Sequence, residues 1–343
     1  MKTEDRGMQK RTRAEDPSRE DLIAILIPVF NDWESLARLL PEIDAALGSV
    51  GLQGWVTVVD DGSTLLLTDE IRHQNYTTLR TVEIVRLRCN LGHQRAIAVG
   101  MAHLCQSHVS ANALVIMDGD GEDRPKDIPR LFAELSRSGN QCHVVFAART
   151  KRFESPLFRL MYNLYRLFHW LLTGISIRVG NFSALSLSAL SRLVIAPDAW
   201  NHYAAAVFRS RIPFSTLPLP RGKRYLGESH MRYSSLVAHG LSAIAVFSEI
   251  VGARLIILLS GLVGVGIFLL VIVVLVRLLT DQAIPGWATN AAGLLLIFTM
   301  QAILSLLILA LIVLGDRSQA KVIPLRDGAL FIETVERLSE QPK

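Results

Sequence analysis

Short apolar runs alternate with helical patterns over the first half of the chain. Five runs have the length of buried strands: Leu22–Val29, Trp55–Asp60, Val82–Leu87, Ala113–Asp118 and His143–Ala148. Three segments between them repeat apolar residues at helical spacing: 33–47, 93–107 and 127–138. Strands and helices in alternation predict an α/β domain with a mostly parallel sheet and helices on both faces. In such sheets ligands bind at the carboxyl ends of the strands.

The C-terminal part of the chain has a different pattern, two long runs without charge. Leu255–Val276 and Ala283–Gly315 contain no Asp, Glu, Lys or Arg. Each run exceeds the roughly 20 residues that cross the apolar core of a bilayer. We therefore predict a transmembrane hairpin with helices at 254–279 and 284–315, joined by a turn at Pro285. Two buried helices of a soluble protein are the alternative.

Charge around the hairpin predicts its orientation. Four cations flank the outer ends of the two runs: Arg254, Arg317, Lys321 and Arg326. The connecting loop offers only Arg277, so the positive-inside rule puts both termini in the cytoplasm. Residues 1–20 lack the apolar core of a secretory signal and are interpreted as a disordered leader. The remaining predicted units are an α/β domain at 21–230, a juxtamembrane amphipathic helix at 231–253 and a cytosolic tail at 316–343.

Composition narrows the class of protein. Half of the 343 residues are hydrophobic, only 20% are charged, and the mean hydropathy is +0.33. These values exclude a disordered chain. A net charge of +5 fits nucleic acid, an anionic membrane surface or a phosphorylated substrate as partner. The three cysteines lack metal-ligand spacing and are interpreted as reduced thiols.

The densest cluster of acidic residues follows the fourth predicted strand. Asp118, Asp120 and Glu122 alternate along the chain, so an extended backbone would turn them to one side. Carboxylates packed so closely repel one another unless a cation lies among them. Oxygen ligands of this kind bind Mg²⁺ or Mn²⁺, which commonly bridge to substrate phosphates. We predict a divalent metal here, with a solvated acidic loop as the alternative.

Two other strand ends carry candidate donor-binding residues. In Asp60-Asp61-Gly62-Ser63 a carboxylate could accept hydrogen bonds from a ribose or a base. A helix cap or a tight turn explains this tetrapeptide equally well. Residues 90–95 stand at the start of a predicted helix, a place that favours phosphate. A plain junction between loop and helix is the alternative there.

Basic residues gather in two segments near the predicted hairpin. The first opens with Arg149 and Arg152 and continues into an amphipathic helix at about 155–173. Three polar residues share one face of that helix: Arg159, Asn163 and Arg166. A helix lying in the headgroup layer would present this face to a lipid phosphate. The second segment, 221–229, places three cations beside glycine, as in a phosphate clamp. A core-packing helix and a solvated turn are the alternatives.

Six motifs occur in order along the chain: IPVFND, VVDDGS, NLGHQRAIAVG, MDGDGEDRP, RFES and RYLGES. Together they resemble the family 2 glycosyltransferases, in the branch of dolichol-phosphate mannose synthases and bacterial undecaprenyl-phosphate glycosyltransferases. The resemblance covers roughly residues 22–315, the hairpin included. It implies a GT-A fold and a membrane-anchored inverting enzyme that moves a sugar from a nucleotide sugar, most commonly a UDP-sugar, to a polyprenyl phosphate. Bacterial relatives further suggest a homotetramer in the cytoplasmic (inner) membrane.

The resemblance also implies roles for individual residues. Donor contacts would come from Pro28, Phe30, Asp32 and Asp61, with His93 and Gln94 beside them. The metal would be held by Asp118, Asp120 and Glu122, where Glu122 replaces the usual glutamine. Gly121 and Arg124 replace the usual leucine and first proline of this run. By this resemblance the acceptor phosphate would be bound by Arg149, Arg152, Arg159 and Asn163. The pattern of the two basic segments adds Arg166, Arg224 and Ser229 as candidates for the same role. Asp118, Asp120, Arg149 and Arg152 are the residues expected to be catalytic.

The implied reaction is direct displacement at the anomeric carbon by a lipid phosphate oxygen. That oxygen is already anionic at neutral pH, so no strong general base is needed. The metal would stabilise the departing nucleotide, and the arginines would orient the acceptor.

Three other functions compete with this one. A processive polysaccharide synthase usually carries a Q-x-x-R-W motif, whereas Ala199 precedes Trp200 here. A catalytically inactive membrane scaffold would not need the acidic cluster. A nucleic-acid binder would carry its basic residues away from the membrane-proximal segments, and they are not found there. Nucleic acid is therefore excluded as a partner.

Overall fold

A computed structural model describes residues 22–107, 109–139, 141–149, 170–174, 179–226, 242, 245–280 and 286–340. Its eight strands are β1 (Leu22–Val29), β2 (Gln53–Asp60), β3 (Leu79–Leu87), β4 (Ala113–Ile116), β5 (Val144–Arg149), β6 (Ser183–Leu185), β7 (Phe214–Leu219) and β8 (Ile332–Glu340). They form one sheet in the order β7-β5-β6-β4-β1-β2-β3-β8. Only β6 and β8 run antiparallel to their neighbours. The predicted α/β class with a mostly parallel sheet is confirmed.

Helices cover both faces of the sheet and continue beyond it. In chain order they are α1 (Trp33–Gly48), α2 (Asp69–His73), α3 (His93–Gln106), α4 (Ile128–Arg137), α5 (Leu187–Val194), α6 (Tyr203–Arg209), α7 (Ser248–Leu279), α8 (Trp287–Ser318) and α9 (Pro324–Asp327). Short 3₁₀ turns lie at Pro125–Asp127, Pro197–Trp200 and Gly328–Phe331.

Strand β1 shows why the sheet lies in the middle of the domain. All eight of its residues are buried, as expected for a parallel strand covered on both faces. Ile23, Ile25 and Ile27 pack in the cluster that contains α1. Ala24 and Leu26 belong to the cluster that contains α3. The polar residues that follow β1 therefore lie at the carboxyl edge of the sheet. Helices α1 and α3 begin at the same edge.

The two C-terminal helices α7 and α8 are each long and apolar enough to cross a membrane. Only 11% of the most apolar window of each is buried, so their side chains face outward and do not form a core. The helices pack on each other through small residues. Gly252 lies against Val313, and Gly266 lies against Thr299, where a Cβ on either glycine would clash. Helix α7 begins at Ser248, six residues before the predicted start at 254.

The segment after the hairpin returns to the α/β domain, which the sequence did not predict. Strand β8 pairs antiparallel with β3 and closes that edge of the sheet. The predicted cytosolic tail is thus largely part of the α/β domain. Two register shifts interrupt the pairing, and in the sequence Ile332, Val335 and Leu338 stand three residues apart instead of alternating. The bulges remove the strict alternation by which a strand is recognised in a sequence.

Candidate active site

The acidic loop after β4 is held in shape by its own carboxylates. Asp123 accepts a hydrogen bond from the backbone N–H of Asp118 at 3.0 Å. Asp120 accepts one from the backbone N–H of Glu122, also at 3.0 Å. Gly121 has a φ of +86°, which an L side chain rarely adopts, so glycine at this position permits the turn. The loop therefore presents Asp118 and Asp120 beside the carboxyl end of β1.

A second loop, Arg221–Tyr225, docks directly on the acidic loop. The backbone N–H of Gly222 donates to the carbonyl of Glu122 at 2.8 Å, and that of Tyr225 donates to the carbonyl of Asp120 at 3.0 Å. The Tyr225 ring lies where a Cβ on Gly121 would stand. The absence of the leucine usual at that position is thereby explained, because a larger residue would displace the ring.

Arg224 lies between two carboxylates of the site. Its Nη2 is 3.8 Å from Asp32 Oδ2, and its Nη1 is 3.9 Å from Asp120 Oδ2. The guanidinium thus joins the end of β1 to the acidic loop. Burial, followed by repulsion from Asp118, raises the pKa of Asp120 even though Arg224 opposes the shift. A further positive charge beside Asp118 and Asp120 would offset the repulsion between them and lower the pKa of Asp120.

The three predicted metal ligands Asp118, Asp120 and Glu122 all lie on the loop after β4, and a metal held there stays a prediction. The carboxylates of Asp118 and Asp120 would suit Mg²⁺ or Mn²⁺, since such ions often use one or two carboxylates and complete their shell with water and phosphate. Glu122 instead forms an ion pair with Arg221. In the described residues no three His, Cys, Asp or Glu side chains are grouped as a metal site. The role of Glu122 as a ligand stays a prediction.

His93, the first residue of α3, faces the acidic loop. Its Nε2 lies 3.2 Å from Asp118 Oδ1 and 2.9 Å from Asn181 Nδ2. Burial disfavours a charged ring, but the carboxylates of Asp118, Asp61 and Asp123 outweigh it and raise the pKa of His93. Asn181 was not among the predicted site residues. The available signal was its position just before β6, the neighbour of β4 in the sheet.

Gln94 is adjacent to the site, but its amide bonds to protein groups. Its Oε1 accepts the backbone N–H of Tyr203 at 2.8 Å, and its Nε2 donates to Asn181 Oδ1 at 3.1 Å. The side chain is buried. Gln94 therefore holds Asn181 against His93, whereas a direct contact with the donor stays a prediction.

The two acids that end β2 have structural partners. Asp61 accepts the backbone N–H groups of Leu91 and Gly92 at 2.7 and 2.9 Å. Burial raises the pKa of Asp61 despite these two bonds. Asp60 accepts the backbone N–H of Ser63 at 2.8 Å and pairs with Arg86. The Asp60 bond closes the tight turn that the sequence offered as an alternative, and the Asp61 bonds tie the end of β2 to the loop after β3. A contact of Asp61 with the donor stays a prediction.

The end of β1 offers an exposed aromatic face. Phe30 is 48% exposed, directly after the strand that contains Pro28. Asn31 follows with a φ of 54°, and its Oδ1 accepts the backbone N–H groups of Thr64 and Leu65. This turn positions Phe30 and Asp32 at the same edge as the acidic loop. Contact of Pro28, Phe30 or Asp32 with a donor stays a prediction.

Most predicted acceptor residues lie outside the described residues: Arg152, Arg159, Asn163, Arg166 and Ser229. The backbone of Arg149 is described as the end of β5. Of the predicted interfacial helix, residues 170–173 are described and are helical, with Trp170 55% exposed. Arg254 of α7 donates to the carbonyl of Leu171 at 2.8 Å. The end of that helix thus contacts the first membrane-length helix.

Comparisons with known proteins agree with this architecture. The sequence model of the family described as "Glycosyl transferase family 2" matches residues 24–194, about half of the chain. An undecaprenyl-phosphate 4-deoxy-4-formamido-L-arabinose transferase of Salmonella paratyphi A is 25% identical over 286 residues, 81% of this chain and 82% of the relative. A protein of the same name from Klebsiella pneumoniae is 31% identical over 137 residues, 39% and 38% of the two chains.

The similar solved structures have lower sequence identity to this chain. Glucosyl-3-phosphoglycerate synthase from Mycobacterium tuberculosis, crystallised with Mn²⁺, UDP-glucose and phosphoglyceric acid, is 16% identical with a TM-score of 0.47. The similarity covers 68% of this chain and 80% of that one. The family match contains β1 to β4 and therefore the whole acidic loop. The chain belongs to glycosyl transferase family 2 and is a glycosyltransferase.

Proposed function

We propose that this glycosyltransferase moves a sugar from a nucleotide sugar to the phosphate of a polyprenyl lipid, with inversion at the anomeric carbon. One observation carries the proposal. The acidic loop, with Arg224 between Asp32 and Asp120, lies in a chain that continues into two membrane-length helices. A donor in water and an acceptor in a membrane would both be within reach of such an enzyme.

The similarity to the Salmonella relative supports a lipid acceptor. That relative is named for undecaprenyl phosphate. The similarity covers 81% of this chain, so wherever it begins it includes Leu255–Val276, the first of the two long apolar runs. The similarity therefore extends beyond the α/β domain into the hairpin. Undecaprenyl phosphate is the acceptor we propose, and a UDP-sugar is the donor we expect.

The chain's own residues would supply the positive charge that brings the two phosphorylated reactants together. A diphosphate donor and a phosphate acceptor repel each other, and their approach needs positive charge. Asp118 and Asp120 would hold Mg²⁺ or Mn²⁺, which when bound neutralises charge on the donor diphosphate. Arg224 adds a cation at the same edge of the sheet, within 4 Å of Asp32 and Asp120. The acceptor oxygen is anionic, so positioning replaces base catalysis.

The location of the enzyme follows from the same proposal. Arg254, Lys321 and Arg326 lie at the open end of the hairpin, next to the catalytic domain, and put that domain in the cytoplasm. We propose a multi-pass protein of the inner membrane with both termini cytoplasmic. The outward apolar faces of α7 and α8 are compatible with a homotetramer through the membrane region, as the resemblance implies.

A product assay tests the proposal directly. Membranes containing the full chain are incubated with undecaprenyl phosphate, Mg²⁺ or Mn²⁺, and a panel of radiolabelled sugar nucleotides. We expect one donor to give one labelled lipid of a single added sugar, which the D120N variant forms at least about 10²-fold more slowly. Label in a polymer would instead indicate a processive synthase. Absence of any lipid product with every donor would contradict the proposal.

A further inference from the structure

Arg209 connects the catalytic domain to the start of the first membrane helix. It is the last residue of α6, and its three guanidinium nitrogens all have partners. Nε lies 2.8 Å from Asp198 Oδ2, Nη1 donates to the carbonyl of Val246 at 2.8 Å, and Nη2 donates to Glu249 Oε2 at 2.8 Å. We call these four residues, Asp198, Arg209, Val246 and Glu249, the membrane joint.

The membrane joint fixes the orientation of the α/β domain on the first membrane helix as well as attaching the two. A small apolar cluster of Ala205, Val246 and Phe247 holds the same two segments together without directional bonds. Arg209 adds three bonds of fixed geometry, because its planar guanidinium group donates hydrogen bonds only along its N–H directions. Arg209 is only 25% exposed, so water screens these bonds less than it would screen an open surface pair.

The other end of the hairpin reaches the same place. Ser248 in the first turn of α7 donates to Asp316 near the end of α8 at 3.4 Å. Lys321 lies 3.5 Å from Asp316, and its charge also acts on Asp198. Both helices are therefore fastened next to the membrane joint, so a movement there would tilt the hairpin as a unit.

A short path of contacts joins the membrane joint to the acidic loop. Asp198 belongs to the Pro197–Trp200 turn, whose last residue stacks with Arg95 of α3 at 5.7 Å from the ring centroid. Arg95 lies in the first turn of α3, two residues after His93, which contacts Asp118. One rigid turn thus touches both the membrane anchor and the helix that begins at the site.

We propose that Arg209 is a positioning residue that sets the height and tilt of the acidic site over the membrane surface, so that the phosphate of a membrane-embedded acceptor reaches it. The inference rests on the proposed function. Arg209 itself touches neither donor nor acceptor. Its loss leaves the acidic loop and its partners intact but lets the domain rock on the apolar cluster, so that the acceptor phosphate meets the site out of line.

Two acceptors separate this role from a merely structural one. Purified full-length enzyme in lipid nanodiscs is assayed with undecaprenyl phosphate and with a short-chain, water-soluble polyprenyl phosphate. For R209A we expect the kcat/KM with undecaprenyl phosphate to fall about 10- to 100-fold, as expected for a misplaced reactant. The kcat/KM with the soluble acceptor and the KM for the donor should stay within about 2-fold of the wild-type values. A 2-fold change corresponds to less than about 0.5 kcal/mol, since a tenfold change corresponds to about 1.4 kcal/mol.

Matched variants complete the test. Arg192 of α5 is exposed, and its guanidinium contacts Cys142 Sγ at 3.5 Å. R192A is therefore the control, and it should leave kcat/KM unchanged with either acceptor. R209K keeps the charge and should recover part of the loss. The charge swap R209E with E249R restores one ion pair of the membrane joint and should recover more activity than R209E alone.

A readout without catalysis checks the geometry. Energy transfer is measured from a fluorophore on V50C, an exposed residue after α1, to an acceptor dye in the lipid headgroups. We expect the distance distribution of R209A to be broader than that of the wild type. Equal losses with both acceptors, or no loss with either, would overturn the positioning role. Wild-type enzyme that uses neither lipid would overturn the proposed function instead.

Discussion

Two acidic strand ends lie on either side of β1 in this protein, and their carboxylates differ in burial and in their main partners. After β2, Asp60 and Asp61 accept hydrogen bonds from backbone N–H groups of Ser63, Leu91 and Gly92. After β4, Asp118 and Asp120 face the side chains of His93 and Arg224. The first pair is fully buried, whereas the second pair is partly open.

The difference separates a framework from a binding surface. Backbone donors are fixed by the fold, so carboxylates that use them hold the chain in place. Side-chain cations can move aside, so carboxylates that face them can exchange a protein partner for a ligand. The β2 end thus supports the edge of the sheet on which, in the proposed function, the β4 end would bind the donor and its metal.

The sharpest test of this contrast replaces Asp120 by Asn. We expect kcat for glycolipid formation to fall about 10²- to 10³-fold, the usual cost of removing one electrostatic group from such a site. Stability should not fall. Burial raises the pKa of Asp120, so its ionised form costs folding free energy at neutral pH, and the neutral amide removes that cost. Thermal unfolding in detergent measures the stability of D120N. A Tm below that of the wild type would contradict this expectation.

The opposite result is expected for Asp61→Ala. Two partly buried backbone N–H groups, of Leu91 and Gly92, lose their acceptor. The free energy of unfolding should drop by about 2–3 kcal/mol, since each orphaned buried donor costs about 1–3 kcal/mol and removal of the charge offsets a part. D61N keeps one acceptor oxygen and should fall between D61A and wild type. Normal stability of D61A together with a raised donor KM would instead make Asp61 a binding residue.

Sequence alone could not make this distinction. Both acidic runs follow an apolar strand and contain glycine, so they look alike in the sequence. Their partners are distant in the chain: Asp61 bonds 30 residues away, and Glu122 pairs with Arg221, 99 residues away. Such contacts depend on how loops meet in space. The family resemblance names the acidic residues, but it does not contain these contacts.

The fold was predictable where periodicity is regular. The five apolar runs became β1 to β5, and the predicted helices at 33–47, 93–107 and 127–138 became α1, α3 and α4 within a few residues. The short strand β6 has three residues, too few for a periodic signal. Strand β8 is bulged and comes after the membrane hairpin, so neither local pattern nor chain order places it in the sheet.

A smaller effect is expected at Gly121, which has a positive φ like Gly62 of the β2 end. A Cβ on Gly62 would lie 2.7 Å from the backbone nitrogen of Asn90, which cannot move aside. On Gly121 it would meet the Tyr225 ring, which can. We expect G121A to cost about 1–2 kcal/mol from backbone strain and the displaced ring.

Combining G121A with Y225A tests the origin of that cost. The double variant should recover the part due to the ring, which a double-mutant cycle measures by chemical denaturation. Strictly additive losses would show that Tyr225 does not press on this turn. In G62A no side-chain removal should restore stability, because the obstacle there is the backbone.

The smallest effect concerns Arg221 and decides the role of Glu122. The ion pair between them is partly exposed, so R221Q should lower the free energy of unfolding by less than about 1 kcal/mol. If Glu122 is a metal ligand held back by Arg221, R221Q frees it and lowers the Mn²⁺ concentration for half-maximal activity, whereas E122Q raises it. If Glu122 only docks the loop, as its pairing suggests, both variants leave that concentration unchanged within about 2-fold, below 0.5 kcal/mol. We expect the second result, because Asp118 and Asp120 would already supply two carboxylates, and a cation shared with a diphosphate commonly uses one or two. A shift of the Mn²⁺ requirement in opposite directions would restore Glu122 to the metal site and extend the binding surface along the whole acidic loop.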